Sequence, residues 1–169
     1  MDAYEAIITK RDTREYDPRP IEGGHLEAIL RAGRMAGSSK NAQPIRLVVL
    51  RDQGQKDALA ACGDFTAHLP SSPLVIVVAR VDGSRPFDAG RTAQNMMIAA
   101  NALGIASCPV GIQHDEPARQ VLDLPGDQIV AMAITFGYPK GGGRPRGRGD
   151  RRLGLEEFVS YERWGQHSA

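Results

Sequence analysis

No stretch of this sequence is apolar for long enough to cross a bilayer. The longest apolar run, residues 74–79, falls far short of the ~20 residues a membrane helix needs. Residues 1–9 carry acids and lack the apolar segment of an export signal, so the protein is expected to stay in the cytoplasm. Two cysteines, Cys62 and Cys108, cannot build a disulfide framework, and free thiols suit a reducing compartment. The four histidines, His25, His68, His114 and His167, are scattered singly, so no metal site is expected. Also missing are a Walker A sequence, a GxGxxG after a strand, a CxxC and a serine-centred nucleophile elbow. Those absences remove the commonest hydrolase, dinucleotide-fold and metalloenzyme readings. A formal net charge of +1 gives no reason for a polyanion to coat the whole surface.

What is present suits one domain spanning residues 1–169. The chain is 41% hydrophobic and 24% charged, an ordinary soluble balance, and is long enough to bury a core. Asp2 followed by Glu5 predicts a capped first helix. Pro18 and Pro20 enforce an extended segment after it. Further helices are expected over residues 24–35, 53–62, 89–103 and 117–122. For the third of these Asp88 is read as the N-cap and Gly104 as the stop. Strands are expected at residues 47–50, 74–81, 105–110 and 129–136, the first of them as a run covered on both faces. Residues 140–148, rich in Gly and Arg, read as a mobile loop. Residues 155–164 form a tail whose Leu155, Phe158 and Trp164 need a partner surface. The alternation of strands and helices points to a three-layer α/β or α+β sandwich.

Four segments could carry chemistry. In residues 10–17, Lys10, Arg11 and Arg14 place three cations beside the Thr13 hydroxyl, a reasonable phosphate site because arginine presents a planar fork to phosphate oxygens. The same cations equally suit a solvated helix end. Ser38, Ser39, Lys40, Asn41 and Gln43 offer donors and acceptors that can read a polar heterocycle, or make an ordinary turn. Residues 88–97 open the long helix, and core packing accounts for their small residues and methionines. Pro109, Val110 and Gly111 end a strand, where ligands are favoured and glycine admits a flat ring, although a simple turn is the alternative.

Read in order, these segments resemble the nitroreductase family of FMN flavoproteins from about residue 3 to residue 164. Lys10-Arg11-Asp12-Thr13-Arg14-Glu15-Tyr16 is similar to the family's Arg-Arg-Ser-x-Arg-x-Phe. Ala36-Gly37-Ser38-Ser39-Lys40-Asn41-Ala42-Gln43-Pro44 is similar to its Ala-Pro-Ser-x-x-Asn-x-Gln-Pro loop. Residues 88–95 and 103–108 resemble its long helix and following strand. Phe136-Gly137-Tyr138-Pro139 and Arg151-Arg152-Leu153 resemble its closing segments. Gly37 stands where the family has Pro, Ile45 where it has an aromatic, and Asp12 where it has Ser. No match is found for its mid-chain polar flavin contacts.

The resemblance implies an α+β, three-layer α/β/α sandwich with a mixed, mainly antiparallel central sheet. It also implies a homodimer with FMN at the subunit interface. Lys10 and Arg11 would then contact phosphate or ribityl groups, with Asp12 and Arg14 beside them. Ser38, Ser39 and Asn41, with Gln43 in the same loop, would come from the partner. Pro109, Val110 and Gly111 would line the isoalloxazine, and Arg151 and Arg152 would return to the phosphate. The implied activity is oxidoreduction in two half-reactions through flavin N5, with NAD(P)H as donor and a nitroaromatic, quinone or similar small molecule as acceptor. No catalytic side chain is required, because the flavin carries the reaction. Asp12 puts a carboxylate beside a phosphate dianion, and it is similar to the flavin-cleaving relatives that make a benzimidazole. Two other readings are a flavin storage or sensing protein, and RNA binding through residues 140–152, which hold six cations against Asp150.

Overall fold

The computed structural model describes residues 1–142 and 152–167. Its elements run α1 (Ala3–Thr9), α2 (Gly23–Arg34), β1 (Ile45–Leu50), α3 (Gln53–Ala60), β2 (Leu74–Val81), α4 (Pro86–Ala102), β3 (Ala106–Val110), α5 (Asp115–Val121), β4 (Gln128–Gly137) and α6 (Leu155–Phe158). The strands form one sheet in the order β1-β2-β4-β3, and every neighbouring pair is antiparallel. An isolated parallel bridge outside these strands, Asp12 to Ser107, lies along the free edge of β3.

Strand alternation divides the core in two. From β2 and β4, Leu74, Ile76, Val78, Ile134 and Phe136 pack with Ile29 of α2 and Met96 and Ala100 of α4. Val75, Val77 and Ala133 face the other way, toward Leu59 of α3 and Ala118 of α5. A sheet buried between two helical layers is therefore the three-layer α+β sandwich expected from the sequence.

Three expectations change in detail. β1 is an edge strand and not covered on both faces, and Val49 is 36% exposed. α4 starts at Pro86 with Arg85 as N-cap, and Asp88 lies in its first turn instead of capping it. Proline at the first position needs no N–H partner and extends the helix backward. α5 starts earlier than expected, at Asp115. The other boundaries hold closely: the Asp2 carboxylate accepts from the Glu5 N–H at 2.8 Å, and Gly104 leaves α4 with φ of 75°. Most of the expected mobile loop, residues 143–148, lies outside the described residues. Among the described residues, no helix is long and apolar enough to cross a membrane.

Candidate functional site

The chain leaves α1 at Lys10 and runs along the free edge of β3. The Thr13 N–H donates to Ser107 O at 3.3 Å, and the Asp17 N–H donates to Tyr138 O at 2.8 Å. Gly137 permits this approach, because a Cβ there would lie 2.7 Å from the Tyr16 ring. The Tyr16 hydroxyl donates to Thr13 O at 2.7 Å and lies 2.7 Å from the Thr135 hydroxyl, which also reaches Cys108 O at 3.2 Å. Burial drives the Tyr16 phenol well above its ordinary pKa of 10.0, against the opposing Thr135 hydrogen bond. Segment 10–17 is thus pinned to β3 and to the end of β4.

That pinning gathers the cations. The Lys10 side chain is only 12% exposed and is ion-paired with Asp12. Arg11 folds back, its Nη1 donating to the Ile8 and Lys10 carbonyls at 2.8 Å each, so it closes the α1 C-terminus as the helix-end reading requires. Arg14 lies near enough to the Cys108 thiol to act on it electrostatically. Burial and Asp12 push that thiol's pKa up, while Arg14 and Lys10 oppose the rise.

His68, not singled out from the sequence, joins this group. Burial first, and then Arg14, hold its imidazole below the usual pKa, and its Nε2 finds no partner among the described residues. The loop that carries His68 packs on the exit of β3: the Asp64 N–H donates to Gln113 Oε1 at 2.8 Å, and the His114 N–H donates to Cys62 O at 3.0 Å. Nothing around His68 in the sequence signals this meeting, which the fold creates.

Pro109 is half-buried and Gly111 exposed at that exit, close in sequence to Cys108. Val110 has its side chain in the core beneath α3 and α5, so only its backbone can face a ligand. Arg152 is exposed, and Arg151 lies outside the described residues, as do Arg144, Arg146 and Arg148 of the basic segment.

The Ser38 loop sits elsewhere. Residues 39–41 form one 3-10 turn, and the Ser38 Oγ accepts from the Gln43 N–H at 2.9 Å. Lys40, Asn41 and Gln43 hold φ of 53°, 53° and 49°, a strained run of left-handed residues of the kind that clusters at ligand sites. Gly37 is explained by Arg91, whose Nη1 donates to Gly37 O at 2.8 Å and whose Nη2 would stand 2.9 Å from a Cβ there. This loop leads into β1, whereas the Lys10 cluster flanks β3, at the opposite edge of the sheet. Three strand spacings, roughly 14 Å, separate the two edges. One chain therefore does not bring the two halves together.

Residues 7–82 and 72–138 match the model of the nitroreductase family. An Archaeoglobus fulgidus protein described as an NADH dehydrogenase/NAD(P)H nitroreductase is 30% identical over 145 residues, covering 79% of this chain and 83% of that protein. The FMN reductase of Bacillus subtilis is 19% identical over 165 residues, 82% of this chain and 66% of the relative. A crystal structure from Bacteroides thetaiotaomicron, again described as an NADH dehydrogenase/NAD(P)H nitroreductase, superposes with a TM-score of 0.85 at 25% identity, covering 96% of this chain and 98% of that one.

Proposed function

Because the chain belongs to the nitroreductase family, we propose that it is an NAD(P)H-dependent oxidoreductase that binds FMN between two copies of itself and reduces a small nitroaromatic, quinone or similar acceptor. The observation that carries this reading is the split site. The cationic cluster at the β3 edge and the strained Ser38 loop at the β1 edge each make half of a pocket, and a two-fold dimer can set one against the other.

The residues present fit FMN. Lys10 and Arg14 converge at the β3 edge, where a phosphate and a flat ring both need positive charge. Pro109 and the exposed Gly111 offer a slim strand exit for the ring. Asp12 opposes the fit, since a phosphate dianion has to displace it from Lys10. FMN, when bound, supplies the hydride and electron chemistry between NAD(P)H and the acceptor.

The protein's part is binding and orientation. Lys10 holds the phosphate, and Arg11 closes α1 so that Lys10 points correctly. The Tyr16–Thr135 contact keeps segment 10–17 on the sheet, which sets the distance between phosphate grip and ring. Arg14 and His68 place a cation and a neutral imidazole beside the strand exit, favouring negative charge that develops there. From the partner, Ser38, Ser39, Asn41 and Gln43 present short polar groups. Arg151 and Arg152 are assigned to the phosphate by the sequence resemblance alone. The two thiols are free and buried, which accords with a reducing cytoplasm.

The test is the visible spectrum of the purified protein, as isolated and after incubation with FMN. A yellow, stoichiometric complex that bleaches under anaerobic NADH or NADPH is expected. A protein that stays colourless with excess FMN overturns the proposal.

A further inference from the structure

α4 sends two polar side chains, one helical turn apart, to the end of α2 and the chain just beyond it. Asn95 Nδ2 donates to Ala32 O at 3.3 Å, and Arg91 Nη1 donates to Gly37 O at 2.8 Å. Between Ala32 and Gly37 the two helices pack closely, since a Cβ on Gly33 would lie 2.8 Å from Met96 Cγ. The Arg91 guanidinium also stands 5.6 Å from the centroid of the Phe87 ring, one turn back on α4. Arg91 itself is exposed and fills no core.

Beyond Gly37 the chain enters the left-handed run of Lys40, Asn41 and Gln43. Residues with a side chain adopt that conformation at a cost, so the run persists only where its surroundings fix it. Arg46 fixes the far end, its Nη1 donating to Gln43 O at 2.8 Å. Arg91 fixes the near end. Gly37 is matched to this contact, because the three atoms nearest a Cβ there all belong to the Arg91 guanidinium, at 2.9, 3.2 and 3.4 Å. Gly37 is not itself left-handed, so what glycine supplies at this position is space for the guanidinium and not backbone freedom.

We propose that Arg91 is a positioning residue for the flavin site. By holding the Gly37 carbonyl it keeps the Ser38 loop in one conformation before the ligand arrives. A loop already ordered loses less freedom on binding, so this contact raises affinity without touching the ligand. The inference rests on the reading that the Ser38 loop faces FMN, but its first test reads the apoprotein.

Arg91→Ala removes an exposed side chain from a helix and is expected to leave the melting temperature of the apoprotein within a few degrees. Amide hydrogen exchange in the apoprotein reads the loop through the Asn41, Ala42 and Gln43 N–H groups, which donate to Ser38 O, Ser39 O and Ser38 Oγ. In Arg91→Ala these amides should exchange about 3- to 10-fold faster and FMN should bind about 3- to 10-fold more weakly, the worth of one exposed hydrogen bond from a charged donor. Gly37→Ala discriminates further. In the wild type its methyl pushes the guanidinium off the carbonyl, and both readouts should move as they do in Arg91→Ala. Added to Arg91→Ala, the methyl meets no guanidinium and only restricts the chain, so both readouts should stay unchanged or partly recover. Additive losses, or exchange unchanged in Arg91→Ala, overturn the inference. Weaker FMN binding with unchanged exchange also overturns it, because Arg91 then acts on the ligand directly. A wild type that never takes up FMN overturns the flavin reading and this role with it, whereas FMN binding with unchanged exchange sinks the inference alone.

Discussion

Asp12 and Tyr16 show how single side chains in segment 10–17 pull in different directions. Asp12 neutralises Lys10 in the free chain, so phosphate binding has to break that ion pair and then tolerate a carboxylate nearby. Asp12→Ser is expected to tighten FMN binding several-fold to about tenfold, and Lys10→Ala to weaken it by about 10- to 100-fold, the worth of one charge-assisted hydrogen bond. Quenching of flavin fluorescence during titration measures both. Tyr16 acts on stability. Its folded pKa lies above the ordinary 10.0, so its contribution is complete below about pH 10 and is lost as the pH rises, because the unfolded phenol ionises first. Urea midpoints should therefore fall more steeply between pH 9 and 11 for the wild type than for Tyr16→Phe. At pH 7 the same substitution should cost about 1 kcal/mol through loss of the Thr13 and Thr135 contacts.

At the scale of elements, the end of β4 and segment 10–17 behave as one piece. Gly137→Ala would drive a methyl to within 2.7 Å of the Tyr16 ring, so the ring or the strand has to shift. It should destabilise the protein by about 1–3 kcal/mol and loosen FMN together with segment 10–17. Thermal melts with and without flavin read both effects, and unchanged flavin affinity would show that the segment is not held by this contact. The elements themselves were legible in the sequence. The continuous apolar run at residues 74–79 and the Asp2 and Gly104 punctuation depend on local chemistry, and they reappear in place as a buried strand and two helix ends. What depends on neighbours was not legible. The exposure of β1 follows from its edge position, and the early start of α4 from Pro86 serving as its first residue. His68 joins Arg14 only through the packing of a loop far away in sequence.

At the scale of the whole molecule, sheet order decides what one chain can do. The sequence places the Lys10 and Ser38 motifs 28 positions apart (38 − 10), which says nothing about their separation in space. The order β1-β2-β4-β3 puts them at opposite edges. If each FMN touches both chains, flavin binding and dimerisation share free energy, and each must strengthen the other by the same factor. Diluting the holoprotein should then release FMN in step with dissociation into monomers, and excess FMN should move the monomer–dimer midpoint to lower protein concentration. Ser38→Ala paired with Asn41→Ala should weaken flavin binding by about tenfold or more while leaving the Lys10 edge untouched. Mixing that variant with a Lys10→Ala chain should restore one good site per heterodimer, because the intact β3 edge of one chain then meets the intact loop of the other. Sedimentation velocity followed at the flavin absorbance reads both effects. Flavin affinity independent of protein concentration, with no rescue on mixing, would place the whole site within one chain and undo the split-site argument.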